Sequence, residues 1–163
     1  MPFRVIATIV ASSLVVLVPA ASAAQGVQPR AGIMLTGPID FPREQGMTVH
    51  TDPSDGARLT VALGFDGRCK GGGLAEVWAS NIPVRKTVKV KRGRFSARLT
   101  ATVRDFGDVD GRTARFRWRL TGRFVSEDVA TAKVRGDARI RERGHKPARC
   151  RIASPASVRL TTG

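Results

Sequence analysis

The chain has no tyrosine, two tryptophans, two cysteines and two histidines among 163 residues. Each scarcity removes a class of chemistry. Single-strand nucleic-acid readers and many neutral-sugar sites stack their ligands on exposed aromatic rings. With aromatics at only 6%, specific nucleic-acid binding is not expected. Two cysteines and the distant His50 and His145 lack the clustered spacing that tetrahedral zinc favours, so no cofactor or metal is expected. Glutamate is thin as well: Glu44, Glu76, Glu127 and Glu142 are the whole supply. Paired carboxylates of the glycosidase kind would have to be assembled by the fold. A carboxylate-dependent hydrolase is kept as an alternative on that ground alone, and the expectation is a non-enzyme.

Long apolar runs are also missing, with one exception at the start. Arg4 precedes an apolar run from Val5 to Val18, and small residues follow from Ala20 to Ala24. This is the three-part layout of a secretory signal peptide. The run of about 14 residues is shorter than the roughly 20 that a spanning helix needs, so the expectation is a cleaved signal over residues 1–24 and a mature form without a transmembrane segment. Export, to the cell envelope or the medium, places Cys69 and Cys150 where a disulfide forms and persists. Two separate buried thiols are the alternative. A closed loop of this size contributes roughly 4–5 kcal/mol by loop entropy.

What is present is alternation. Val84, Val88 and Val90 face one way against Arg85, Thr87, Lys89 and Lys91, with Lys86 an exception on the apolar side. Arg92-Gly93 turns the chain, and Phe95, Ala97, Leu99, Ala101 and Val103 resume the apolar face. Ala114, Phe116, Trp118 and Leu120 alternate with Arg115, Arg117, Arg119 and Thr121, and Ala132, Val134, Ala138 and Ile140 with Lys133, Arg135, Asp137, Arg139 and Arg141. A period of two is the mark of half-buried strands. Shorter candidates are Ile33–Thr36, Met47–Thr51, Arg58 to about Phe65, Leu74–Ser80 and Ser157–Thr161. Gly37-Pro38, Phe41-Pro42, Asn81 and Pro83 read as breaks, and Asp52-Pro53-Ser54-Asp55-Gly56 as a turn.

Seven to nine short strands with one apolar face each predict an all-β fold, a two-sheet antiparallel β-sandwich of jelly-roll or immunoglobulin-like kind, with a closed β-barrel as the alternative. The expected organisation is signal peptide 1–24, an N-terminal extended segment with the first strands over 25–57, and the remainder of one domain over 58–163.

Charge is unevenly placed. Residues 25–84 carry five basic and six acidic side chains, whereas residues 85–163 carry 22 and seven. If consecutive strands pair as hairpins, Arg94, Arg98, Arg115, Arg117, Arg119, Arg135, Arg139 and Arg141 share an outward face. Such a face attracts polyanions, and arginine pairs with phosphate, sulfate or carboxylate through two parallel hydrogen bonds. The partner expected on this reading is an anionic polysaccharide or other polyanion. A merely solvated basic face, with arginine favoured by codon usage, accounts for the same pattern, as does a structural or protein-interaction module of the envelope.

Other constellations are weaker. Asp105, Asp108 and Asp110 before Gly111 have the oxygen donors of a calcium loop but neither its spacing nor its downstream glutamate, so an acidic hairpin loop is the plainer reading. Gly71-Gly72-Gly73 follows Lys70, the reverse of a P-loop, and reads as a flexible loop beside the disulfide. His50 and Asp52 lack a nucleophile elbow to serve.

Phe65-Asp66-Gly67-Arg68-Cys69, Gly93-Arg94-Phe95-Ser96, Gly122-Arg123-Phe124 and the late Cys150, together with the signal, resemble uncharacterised exported bacterial β-sandwich domains. The resemblance spans about residues 58–160. It implies a fold and an exported location, and no activity.

Overall fold

The computed structural model describes residues 26–39, 45–152 and 156–162. The expected signal peptide, the Phe41-Pro42 break and Glu44 lie outside these residues. Among the described residues all regular structure is strand: β1 (Met34–Ile39), β2 (Gln45–Thr51), β3 (Arg58–Lys70), β4 (Glu76–Lys91), β5 (Arg94–Val103), β6 (Thr113–Ser126), β7 (Val129–Arg141), β8 (Ala148–Arg151) and β9 (Ala156–Thr161). They form one antiparallel sheet in the order β2-β1-β9-β7-β6-β5-β4-β3-β8, with β2 also paired to β3 and β7 to β8. Both ends of the series are therefore hydrogen-bonded back into it.

Local chemistry sets the turns. Arg92 and Gly93 both have positive φ, 49° and 68°, as a two-residue type I′ hairpin demands. Between β2 and β3, Asp52 Oδ1 accepts the Ser54 amide at 2.9 Å and Asp55 Oδ1 the Ala57 amide at 2.8 Å.

Alternate residues of the strands enclose one apolar cluster. Phe65 of β3 meets Phe116 of β6 edge to face at 5.2 Å, and Trp118 stacks beside Phe116 at 5.5 Å. Trp118 also donates its indole N–H to the Gly64 carbonyl of β3 at 3.3 Å. These contacts join β3 and β6 across the interior, although the two strands are not hydrogen-bonded neighbours. Burial of each such large side chain contributes about 1.5–3 kcal/mol. Phe95 lies over its cross-strand partner Gly122, where a Cβ would come within 2.2 Å of the ring. Large rings and small residues thus fill the interior in alternation. Thr51 is buried among them with its hydroxyl satisfied, accepting from the Ile33 amide at 2.9 Å and donating to the Arg30 carbonyl at 2.7 Å.

Several boundaries differ from those expected. Leu74–Ser80 and the stretch from Val84 are one strand, β4, since the Asn81–Pro83 break is absorbed by bulges. Against β3 the register jumps between Leu59↔Val88 and Val61↔Val84, and again between Leu63↔Ile82 and Phe65↔Ala79. A bulge inserts residues without ending a strand. The first jump lifts Arg85, Lys86 and Thr87 out as exposed residues, so Lys86 does not enter the core. Gly37 and Pro38 lie within β1, yet β1 pairs with β9 only at Thr36 and Ile39, on either side of them. Proline lacks a ladder donor, and the ladder is interrupted there. β3 runs on through Gly67 to Lys70, and β8 was not expected at all.

The disulfide joins Cys69 of β3 to Cys150 of β8, directly opposite residues with Cα atoms 3.9 Å apart. Among the described residues no helix is long and apolar enough to cross a membrane.

Candidate anion-binding face

All eight arginines singled out in the sequence are exposed on the side of β5, β6 and β7 that points away from the core. Cross-strand pairing arranges them in rows. Arg98, Arg119 and Arg135 form one row across three strands. Thr102, Arg115, Arg139 and Arg149 form another, and Lys70 of β3 extends it. Between these lie Thr100, Arg117, Asp137, Arg151 and Arg68. Arg94 stands apart from these rows, opposite Arg123, whose partner Thr131 faces Arg159 on β9. Arg141, at the end of β7, faces Thr113.

Strand spacing of ~4.8 Å and ~6.6 Å between alternate residues put these rows on a fine net. Directly opposed like charges destabilise a sheet. Six arginine pairs are so placed: Arg94–Arg123, Arg98–Arg119, Arg119–Arg135, Arg115–Arg139, Arg139–Arg149 and Arg68–Arg151. At up to about 1 kcal/mol each, their repulsion is comparable to a sizeable part of a small domain's net stability.

One carboxylate sits within the rows. Asp137 Oδ1 accepts Nε and Nη2 of Arg117 at 2.8 and 2.5 Å. Among the described residues, the other seven arginines have no carboxylate partner. Elsewhere Arg112 pairs with Glu142 at 2.7 Å, and Arg30 with Asp128 at 3.8 Å.

The face carries two depressions. One of about 820 Å³ is bordered by Arg98, Arg117, Arg119, Arg135 and Arg151, with Asp137 and Gly136 between them. A second of about 660 Å³ is bordered by Arg94, Arg123, Lys133 and Arg159. Sequence reasoning missed Arg149 and Arg151 because β8 is short, although Ala148-Arg149-Cys150-Arg151 does alternate. Arg68 and Lys70 were missed because β3 was ended too early, and Arg123 and Arg159 because their place beside Arg94 depends on which strands pair.

The remaining candidates have local roles. Asp105 Oδ1 accepts the Gly111 amide at 3.0 Å and closes the β5–β6 loop. Among the described residues no group of three or more His, Cys, Asp and Glu side chains is placed to hold a metal ion. Gly71, Gly72 and Gly73 all have positive φ in the turn after Cys69. Hydrogen bonds from the Ser54 hydroxyl and amide hold the Asp52 carboxyl below its ordinary range. The Ser126 hydroxyl does the same for Asp128. His50 is exposed on β2.

Comparison with protein-family models, with curated proteins and with solved structures found no match to the chain.

Proposed function

We propose that the protein is a non-catalytic, exported domain that holds a linear anionic polymer of the cell envelope against the outward arginine face of β5–β8. The fold that serves this is read as two layers of one sheet packed as a sandwich. Support for the layers comes from β3 and β6 meeting through Phe65, Phe116 and Trp118. The observation that carries the binding reading is the stacking of arginine opposite arginine with Asp137 as the one acid among them. Folding gains nothing from such pairs, whereas a bound polyanion converts each repulsion into two charge-assisted hydrogen bonds. An extended chain with an anionic group every ~5–7 Å matches the net of side chains. Uronate- or sulfate-bearing polysaccharide has that character, and its neutral ring faces need no aromatic platform here.

The test is titration with polygalacturonate and with heparin at graded salt. Affinity should fall by about a hundredfold between about 50 and about 200 mM salt, as for several displaced counterions. Arg115, Arg117 and Arg119→Ser together should abolish it. Asp137→Asn, which frees Arg117, should raise it several-fold. Affinity indifferent to salt, or surviving the triple substitution, would leave a structural module with an incidental basic face. Export is checked separately by sequencing the N-terminus of the protein recovered outside the cytoplasm.

A further inference from the structure

We propose that the gap between β4 and β5 is a docking site for an extended, acidic segment of a partner protein, taken up as an added strand. This site is distinct from the polymer-binding rows centred on Arg115, Arg117 and Arg119, because it uses the backbone edge of β5 and the cations of β4. Of the cations, Arg94 alone borders both this site and a depression of the basic face.

The backbone gives the first reason. β5 pairs with β6 at every position from Arg94 to Val103, but with β4 only through Val90↔Phe95 and Lys91↔Arg94. Among the described residues, no strand is paired with the other edge of β5 from Ala97 onward, and β4 borders it only across cavities. Two bulges bend β4 away, the second beside Asn81, whose φ is 47°. An edge left open in this way presents a row of backbone donors and acceptors that an incoming strand completes.

The gap is also shaped for side chains. At its wide end is a cavity of about 760 Å³ lined by Leu74, Val77 and Ile82 on one wall and Val103 and Phe106 on the other. Trp78, 56% exposed, stands at its rim. At the hairpin end a second cavity of about 690 Å³ is bordered by Lys86, Lys89, Lys91 and Arg94. An added strand would point alternate side chains inward to the apolar wall and outward beside these cations.

Charge selects the occupant. From Val77 to Arg104 the sequence has eight basic residues and no acidic one. A second copy of the chain would bring the same cations edge to edge, a repulsive juxtaposition. Acidic side chains opposite them are favourable. The wide end is bordered by Glu76 and Asp108 as well as Arg112, so the acids of the partner belong toward the hairpin and its apolar anchor toward Trp78.

The probe is a fluorescein-labelled decapeptide alternating valine and glutamate, compared with its valine–lysine counterpart and with a valine–glutamate peptide interrupted by prolines. Saturable binding of the first alone is expected, with slowed amide exchange over Ala97–Thr102. Trp78→Ala, at an exposed position, and Val103→Asp should each weaken it by about tenfold. The Arg115, Arg117 and Arg119→Ser protein should bind it within about twofold of the unsubstituted protein. Absence of binding overturns the site. Binding without protection of Ala97–Thr102, or binding lost with those three arginines, also overturns it and assigns the peptide to the polyanion face.

Discussion

Where β1, β2 and the Leu59–Leu63 stretch of β3 pair with one another, the outward cross-strand pairs include Thr36 with Thr48, Thr48 with Ala62 and His50 with Thr60. On β5, β6, β7 and β8 they are Arg98 with Arg119, Arg119 with Arg135 and Arg139 with Arg149. The inward pairs do not differ in kind: Leu35, Val49 and Val61 in the first region correspond to Ala97, Leu120 and Val134 in the second. Burial demands apolar side chains on one face of every strand and leaves the other face free. The neutral region shows that this sheet needs no arginine to form. The basic rows are therefore a property added to the fold, at some cost in repulsion, and that is why they are read as a binding surface.

The largest effect should come where the two regions are tied together. Cys69→Ser with Cys150→Ser removes the covalent tie between β8 and β3, leaving only their ladder, and should cost about 4–5 kcal/mol in denaturant unfolding. A smaller loss would mean that the β3–β8 and β7–β8 ladders already hold the junction. Next are the inward faces, where equality is expected. Phe116→Ala in the basic region and Leu35→Ala in the neutral one, both fully buried, should each cost about 3–5 kcal/mol. A much smaller loss in the basic region would indicate that its core is not close-packed, and the comparison would fail.

The outward faces should then separate the regions. Arg119→Thr removes two opposed arginine pairs at once and should raise stability by about 0.5–2 kcal/mol at low salt. The gain should shrink as salt screens the pairs. In the neutral region, Thr60→Ser should move stability by less than about 0.5 kcal/mol at any salt. If Arg119→Thr destabilises, the rows are structural and the polymer reading loses its support.

The smallest effect is in acid, and it should touch both regions alike. Asp52, at the β2–β3 turn, and Asp128, at the β6–β7 turn, have folded-state values held below 3.8 by serine hydrogen bonds. A depressed carboxyl contributes stability above its unfolded value, and that contribution is lost as pH falls through the folded one. Unfolding monitored through buried Trp118 should therefore show these contributions intact at pH 5–7 and lost only below about pH 3.8. Ser54→Ala and Ser126→Ala should each remove part of the acid dependence.

The alternation of Phe95 to Val103, Ala114 to Leu120 and Ala132 to Ile140 made the core and the outward arginines of β5–β7 legible, because side-chain direction in a strand follows from position alone. Arg92-Gly93 was legible as a turn for a similar reason, since few residues accept two positive φ angles in succession. Gly37-Pro38 and Asn81–Pro83 misled, because a bulge or an interrupted ladder lets a strand continue through residues that usually stop one. The four residues of β8 are too few for periodicity to identify.

By itself the sequence determined which face of each long strand is buried, where the tightest hairpin lies and which two cysteines are available to pair, all consequences of local geometry and composition. Tertiary structure alone decided that β8 pairs with both β3 and β7 and extends the arginine rows by Arg149 and Arg151. It also decided that β4 bends from β5 and leaves an edge open. Strand neighbours and registers are long-range choices, made by how the rings of Phe65, Phe116 and Trp118 fit together in one core, and no run of adjacent residues encodes them.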